Sequence, residues 1–159
     1  MKLILPAMAA WLLLTGCAGN KPTYAEHAAL VDSYIQTNQL ESKSRITTFQ
    51  LDSWHDLGEQ HLILRTSPFK PYLVKLKARC PNLTFAHTLG TDQSMDNSLS
   101  ANFDAVFVPD YPHLKCHIES IYPISREQAK ELMALDDMKP DEESFKPAAI
   151  DTDTDENTN

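Results

Sequence analysis

The stretch "LKCHIESIYPI", from Leu114 to Ile124, is the part of the sequence that most clearly indicates the fold. Its apolar residues Leu114, Cys116 and Ile118 alternate with polar ones, which is the pattern of a β-strand with one buried face. The alternation therefore predicts a strand over this stretch, with the side chain of Cys116 directed toward the protein interior.

Four more strands are predicted upstream, from alternation or from runs of β-branched and aromatic residues. These strands are residues 45–51, 60–66, 83–89 and 102–109. Between the last two, "GTDQSMDNSLS" (residues 90–100) is polar and is predicted to form a loop. The sequence thus predicts a small, mainly antiparallel sheet of about five strands.

Two helices are predicted at the ends of this region. The first spans residues 24–38, where Thr23 and Glu26 form a capping box and apolar residues recur at helical spacing. The second begins at another capping box, Ser125 to Gln128, and is short. One helix therefore precedes the sheet and one follows it.

A further helix is predicted within the sheet, over residues 71–80. Leu73, Leu76 and Cys80 recur at helical spacing there. Pro81 disfavours a helical conformation for the residue before it and should end this helix. The expected fold is therefore α+β, with an N-terminal helix and an inserted helix beside the sheet.

The start of the chain is typical of an export signal. Residues 3–14 follow Lys2 and are apolar apart from one proline, a run too short to span a bilayer. The next residues, "LTGC" (Leu14-Thr15-Gly16-Cys17), resemble the lipobox of bacterial lipoproteins, which is a leucine and two small residues before an invariant cysteine. The resemblance implies cleavage before Cys17 and acylation of that cysteine, which would anchor the protein in a membrane.

The predicted localisation of the protein follows from the same resemblance. Ala18, rather than an aspartate, follows the cysteine, and by the usual sorting rule of bacterial lipoproteins this implies the outer membrane, facing the periplasm. A plain signal peptide with an incidental cysteine is the alternative. It would need an A-x-A type cleavage site, and the only similar stretch, Ala7 to Ala10, lies inside the apolar run.

Cleavage divides the chain into four predicted parts. They are a leader (1–16), a lipidated tether (17–23), a single α+β domain (24–135) and an acidic tail (136–159). The tail holds nine of the 22 acidic residues and only two lysines, so it is expected to be disordered. The domain is nearly neutral and has no clustered basic face, which argues against a nucleic-acid partner. Its nearest approach to a basic cluster is interpreted as the solvated side of the helix predicted within the sheet, and consists of Lys70, Lys75, Lys77 and Arg79.

Two cysteines, Cys80 and Cys116, remain once Cys17 is acylated. An oxidising periplasm permits disulfides and two thiols allow a single pairing, so we expect these two to be bonded. A closed loop of about 37 residues would add roughly 4 kcal/mol of stability in the chain-entropy model. The alternative is a pair of metal-binding or redox thiols, although the chain has no C-x-x-C motif.

Histidines raise the alternative of a periplasmic metal-binding module. Zinc and copper are bound where imidazoles converge. His113 and His117 have the H-x-x-x-H spacing, but on a strand they would lie about 13 Å apart, while His55 and His61 could meet across a hairpin. The competing interpretation is that the six histidines are solvated or hydrogen-bonded, and with it we expect no cofactor. All six are His27, His55, His61, His87, His113 and His117.

Catalytic motifs do not stand out in this chain. The sequence has neither the G-x-S-x-G of serine hydrolases nor a glycine-rich phosphate loop. Ser94, Ser98 and Ser100 lie in the predicted loop without a base placed beside them. Asp104 and Glu119 could form an acid–base pair, as scattered carboxylates could in any protein of this size. We therefore predict that the protein is not an enzyme.

The order of motifs over residues 40–124 supports a second resemblance. It begins with Trp54 and "YLVKL" before a cysteine, and continues with Phe103-Asp104 and the "C-x-I-x-x-I" that starts at Cys116. This order resembles a domain-of-unknown-function family of short proteobacterial lipoproteins or secreted proteins with a paired cysteine. The resemblance implies no activity.

The expected function is that of a cell-envelope lipoprotein which binds or supports other components without catalysis. Its partners would be the membrane, through the lipid on Cys17, and an envelope protein or other envelope component. Contact with that component would be made by strand edges or by the loop at residues 90–100.

Overall fold

The computed structural model describes residues 23–136. Helix α1 (Tyr24–Thr37) precedes the strands and α2 (Arg126–Asp136) follows them. The predicted leader, nearly all of the predicted tether and nearly all of the predicted tail lie outside the described residues. The strands are β1 (Arg45–Thr47), β2 (Ser53–Asp56), β3 (His61–Arg65), β4 (Pro71–Leu76), β5 (Gly90–Asp92), β6 (Ser98–Ser100), β7 (Ala105–Phe107) and β8 (Lys115–Pro123).

Six of the strands form one sheet in the order β2-β3-β4-β8-β7-β5, and β1 pairs with β6 in a separate two-stranded sheet. All of these pairings are antiparallel. The α+β class and the mainly antiparallel sheet are therefore confirmed. Residues 23–136 contain eight strands rather than about five, because β2, β4, β5 and β6 were not predicted as strands.

Both helices pack on one side of the six-stranded sheet. Val31 of α1 and Leu132 of α2 meet Ile63 and Leu73, which project from β3 and β4. These four side chains are fully buried. We call this apolar cluster the helix face.

The other side of the sheet is covered by the β1–β6 pair and by the 3-10 helix Pro81–Phe85. Ile46 and Leu99, which pair across β1 and β6, pack with Leu62 and Val74 of the large sheet. Both half-cystines belong to this cluster, which we call the disulfide face. The central sheet therefore has a covering layer on each side.

The two terminal helices begin at the predicted residues. The Thr23 hydroxyl accepts a hydrogen bond from the Glu26 N–H, and the Glu26 carboxylate accepts one from the Thr23 N–H. Ser125 and Gln128 make the same reciprocal pair ahead of α2. Both capping boxes are confirmed, and each satisfies backbone donors that the first turn of a helix leaves without a partner.

Strand β8 confirms the strand predicted from "LKCHIESIYPI". It also explains why the buried residues are two apart up to Ile118 and three apart after it. Leu76 pairs with Ile118 while the residue before Leu76 pairs with Ser120, so Glu119 is an extra residue. Such a β-bulge resets the alternation of side chains. Ile118 and Ile121 consequently both lie on the disulfide face although three residues separate them.

The helix predicted over residues 71–80 is wrong, because this region forms strand β4. β4 lies between β3 and β8, in the middle of the sheet. Leu73 is buried on the helix face, whereas Val74 and Leu76 are buried on the disulfide face. A strand covered on both sides carries apolar residues without alternation, and here their spacing imitates that of a helix.

The strand predicted over residues 83–89 is also wrong. Its first residues belong to the 3-10 helix, in which Leu83 is buried and Phe85 is exposed. Pro81 lies in the first turn of this helix, where its fixed φ suits a helical conformation and its missing N–H costs no hydrogen bond. The polar loop predicted at 90–100 holds β5 and β6 at its two ends.

Two other strand predictions need smaller changes. The strand predicted over 45–51 ends at Thr47, because Thr48 adopts a left-handed backbone conformation with a φ of 57°. The strands predicted over 60–66 and 102–109 contain β3 and β7. Errors of this kind concern element ends, where the sequence pattern carries least information.

Candidate functional site

Cys80 and Cys116 form the predicted disulfide, with 6.0 Å between their Cα atoms. The bond joins the segment after β4 to the second residue of β8. Both half-cystines are buried, so neither is a metal ligand or a free thiol in this state. Of the three cysteines in the chain, Cys17 is the one that this bond does not use.

A cluster of three polar side chains joins α1 to the sheet. His61 lies opposite Lys75 in the β3–β4 register, and both contact Asp32 of α1. Lys75 Nζ donates to the two carboxylate oxygens of Asp32 at 2.9 and 3.0 Å. His61 Nε2 lies 3.1 Å from Asp32 Oδ1 and donates to it, since an ionised carboxylate only accepts.

Burial decides the charge of His61, whose side chain is fully covered. It lowers the pKa of His61 to about 4, although the Asp32 carboxylate opposes this shift. Burial raises the pKa of Asp32, but the hydrogen bond from Lys75 and the interaction with His61 outweigh it and the net pKa is lowered. At neutral pH the cluster is therefore an Asp32–Lys75 ion pair with a neutral imidazole.

The cluster has one unused hydrogen-bonding atom. His61 Nδ1 is buried and has no hydrogen-bond partner among residues 23–136. Because Nε2 carries the proton, Nδ1 is a basic atom held inside the domain. A solute at the surface does not reach it, so the cluster holds α1 in place rather than acting on a substrate.

A small cleft opens beside this cluster where α1 begins. Its volume is about 230 Å³, and it is lined by α1, the β2–β3 turn and Arg79. Arg79 Nε donates to Glu59 Oε2, and the guanidinium lies 5.7 Å from the centre of the Tyr24 ring. Half of the Arg79 side chain is exposed, so its remaining N–H donors are available to a carboxylate or phosphate.

A second cleft lies on the other side of Arg79, along the disulfide. Its volume is about 300 Å³, and it is lined by residues 79–82 and 113–116. Leu114 is half exposed at its rim, and Tyr111 is half exposed in the turn before β8. We call the two clefts, with Tyr24, Arg79, Tyr111 and Leu114, the Arg79 surface.

A third, more polar cleft lies at the opposite end of β4. It has a volume of about 670 Å³ and carries Lys70 and the Tyr72 hydroxyl among threonine, serine and amide side chains. Thr48 and Asn97 on its border both have left-handed backbone conformations. These groups can bind water or a polar solute, and Lys70 is the one charged side chain among the lining residues.

The structure does not gather the four histidines of the metal hypothesis into one site. His61 is buried with Asp32, whereas His55 lies on β2 opposite Ile63. The other two, His113 and His117, are exposed at the start of β8. Within residues 23–136, no three histidine, cysteine, aspartate or glutamate side chains lie where they could hold a metal ion.

Asp104 organises the segment that was predicted as a polar loop. It is buried, and its carboxylate accepts hydrogen bonds from the Ser94 N–H, the Ser94 hydroxyl and the Ser100 N–H. Burial raises the pKa of Asp104, but the Ser94 and Ser100 hydrogen bonds outweigh it, so the net pKa lies below its usual value. The structure places Ser100 beside Asp104, whereas Glu119 is exposed on β8. Asp104 therefore fixes β6 and the turn before it.

The edge of the large sheet next to this segment is strand β5. Gly90 lies against the ring of Phe107 so closely that a Cβ at this position would fall 2.4 Å from a ring carbon. Only glycine permits this approach, and the ring covers the start of β5. The backbone of β5 is hydrogen-bonded to β7 on one side, which leaves its other side as an edge on which a partner strand could pair.

Sequence reasoning missed Asp32 and Arg79 as site residues. Asp32 lies four residues after Ala28 and three before Ile35, on the apolar side of α1, and an acid in that position signals a buried partner. Arg79 and Lys75 were assigned to the solvated side of the predicted helix. That assignment is wrong because residues 71–76 form a strand, and β4 directs Lys75 toward α1.

The chain was compared with known families, curated proteins and solved structures. The model of a family described as "Family of unknown function (DUF6491)" matches residues 1–136. No curated protein and no solved structure matches the chain. The matched range extends over the predicted leader and all of the described residues.

Proposed function

Because the chain belongs to the family of unknown function DUF6491, its role has to be inferred from its residues, and we propose that it is a lipid-anchored binding protein of the cell envelope. The leader is cleaved before Cys17, the acyl chains on that cysteine hold the protein in the outer membrane, and the domain faces the periplasm. It acts by contact with an envelope component and not by catalysis.

The use of the three cysteines carries this proposal. Cys80 and Cys116 are bonded to each other, as expected of a protein in an oxidising compartment. Cys17 is the cysteine of the lipobox-like "LTGC". Two acyl chains or more make membrane anchoring durable, whereas one chain gives only reversible binding. None of the helices within residues 23–136 is long and apolar enough to cross a membrane.

The titratable groups support binding over catalysis. The pKa of His61 is lowered, yet this side chain is fully buried and its N–H donates to Asp32. Asp104 is likewise occupied by backbone and serine donors. Side chains whose pKa is shifted by such ion pairs and hydrogen bonds stabilise the fold rather than react with a substrate.

Strand β5 is the surface that we propose for the partner. It is short and lies at the edge of the sheet, and the exposed Met95 follows it within three residues. An extended segment of an envelope protein could add to this edge through backbone hydrogen bonds. The contact then depends on the neighbouring turn, which Asp104 holds.

Acylation is tested by expressing the full chain in a bacterial host with an alkyne-tagged fatty acid. We expect label on the protein, loss of residues 1–16 in its mass, and recovery in the outer-membrane fraction. Cys17→Ser should abolish the label, and Gly16→Ala, which keeps a small residue before the cysteine, should retain it. An unlabelled protein that still begins with Met1 contradicts the proposal.

Partner binding is tested by placing a photo-crosslinking amino acid at Met95 in the anchored protein. We expect a discrete polypeptide adduct from this position in intact cells. Gln36, exposed on α1, is the matched control and should give none. Equal adducts from both positions, or none from either, would contradict a partner at the β5 edge.

A further inference from the structure

We propose that the Arg79 surface lies on the membrane that holds the anchor, with Tyr111 and Leu114 at the level of the phospholipid headgroups. This inference rests on the proposed acylation of Cys17. It adds an orientation, in which one end of the domain is in contact with lipid while the opposite end faces away.

The first support is where the described chain begins. Thr23 caps α1, and the ring of the next residue, Tyr24, lies under the Arg79 guanidinium. Five residues lie between Cys17 and Thr23, and the six Cα–Cα steps from one to the other span about 20 Å at most. The anchor therefore keeps the start of α1, where Tyr24 contacts Arg79, within about 20 Å of the bilayer.

The second support is the kind of side chain found there. Tyr111 is 50% exposed and Leu114 is 49% exposed, in a turn with Pro109 and Pro112. Phe85, at the end of the 3-10 helix that starts beside the second cleft, is 60% exposed. Aromatic and aliphatic tips of this size are usual where a protein touches the boundary of headgroups and acyl chains.

The third support is the rigidity of this end. The disulfide connects Cys80, which borders the 3-10 helix, to Cys116, which follows the turn that carries Leu114. The backbone of that turn is closed by hydrogen bonds from the Tyr111 N–H to Val108 and from the Leu114 N–H to Tyr111. Two apolar tips on a fixed frame lose little conformational entropy on contact.

One cation at this end, Arg79, is suited to bind the phosphate of a phospholipid headgroup. Arg79 keeps exposed N–H donors beyond its bond to Glu59, and Lys115 pairs with Asp92 at the exposed start of β8. Arginine binds phosphate groups through several N–H donors at once. Headgroup phosphates would meet Arg79 while the apolar tips enter the layer below.

The opposite end of β4 provides an internal control. Phe69 precedes β4 and is 71% exposed, more than either tip, and Arg126 lies over its ring at 5.2 Å. The length of β4 separates it from the Arg79 surface by roughly 17 Å, at about 3.3 Å per residue. Exposure alone would favour Phe69 over Tyr111, whereas the position of the anchor favours Tyr111.

The test uses the acylated full-length protein in vesicles of phosphatidylethanolamine and phosphatidylglycerol. After cleavage Trp54 is the single native tryptophan, so Tyr111→Trp and Phe69→Trp each add one reporter to the same background. We expect lipids brominated near the headgroup to quench the added emission in Tyr111→Trp and to shift it to shorter wavelength. Phe69→Trp should show no quenching beyond that of the unmodified protein.

Each outcome separates this inference from the proposed function. If the protein does not float with the vesicles, the anchor is wrong and the orientation is wrong with it. If it floats but the two variants are quenched equally, or neither is quenched, the anchor stands and the orientation is overturned. Because both substituted residues are exposed, unchanged thermal unfolding verifies that each variant is folded.

A second measurement distinguishes lipid from a protein occupant. A photo-crosslinking amino acid at Leu114 should yield a phospholipid adduct by mass in intact cells. The same group at Phe69 should yield no phospholipid adduct. A polypeptide adduct at Leu114 in place of lipid would overturn the proposal.

Discussion

The two sides of the central sheet are stabilised by different physical means. On the helix face, the apolar contacts of Val31 and Leu132 are accompanied by the Asp32–His61–Lys75 cluster, so part of the stability depends on charge. On the disulfide face, apolar side chains pack around a covalent bond. Because of this difference, we expect acid to weaken the packing of the helices before that of the disulfide face. We expect reduction to weaken the disulfide face first.

Loss of the disulfide is the largest expected effect. The double variant Cys80→Ser/Cys116→Ser should lose about 4 kcal/mol of unfolding free energy, because the unfolded chain is no longer closed into a loop. Urea unfolding of the domain measures this. The loss should be equal at pH 7 and pH 4, and a reducing agent should affect the wild type but not the variant. An undiminished stability would show that the bond does not support this face.

Acid provides the second largest effect, and it acts on the helix face. The folded pKa of His61 is about 4, below its ordinary value of 6.5, so the unfolded chain takes up this proton first. The His61 contribution is present above pH 6.5 and is lost as the pH falls through 4, which amounts to about 3 kcal/mol. Urea unfolding between pH 7 and pH 4 checks this fall.

Two variants assign this pH dependence to its source. His61→Gln removes the titrating group, so the unfolding free energy should change much less between pH 7 and pH 4. His113→Gln, at an exposed position in the turn before β8, should keep the wild-type slope. If both variants retained the full slope, His61 would not be its cause.

Asp32→Asn tests the ion pair itself and should have an intermediate effect. Lys75 would lose its charged partner, at a cost of about 1–2 kcal/mol at pH 7, since both side chains are partly exposed. The pKa of His61 should fall further, because the carboxylate that opposes its burial is gone. An NMR titration of the histidines measures this shift, with the exposed Glu41→Gln as control. An unchanged His61 pKa would contradict the cluster.

Gly58→Ala should have the smallest effect on stability. It tests how closely the β2–β3 turn approaches α1 on the helix face. Gly58 has a φ of +81° in the β2–β3 turn, and an added Cβ would lie 3.3 Å from His27 Nδ1 on α1. The strained backbone should cost about 1 kcal/mol, as a left-handed conformation does for a residue with a side chain. Thermal unfolding measures it, and Ala86→Gly, outside this turn, serves as the comparison for a one-carbon change.

How much of the fold could be predicted differs between these regions for a physical reason. α1, α2 and β8 were predicted correctly because capping and alternation are local and each element has one buried side. β4 was mistaken for a helix because it is buried on both sides, which removes the alternation that identifies a strand. The segment at 83–89 was misjudged because its first residues belong to a 3-10 helix that begins at Pro81. The segment at 90–100 was misjudged because β6 pairs with β1, where Ser100 lies opposite Arg45, 55 residues away in the chain.

The sequence by itself predicted an export signal from its lipobox-like motif, and it determined the pairing of two cysteines, the helix caps and the inward side of β8. These properties depend on residues close together in the chain, or on a count that leaves one solution. Only the tertiary structure decided that His61 is buried against Asp32 and Lys75, and that Arg79 lies between two clefts where α1 begins. Such contacts join residues that are distant in sequence, and their energies depend on burial, which no local pattern specifies.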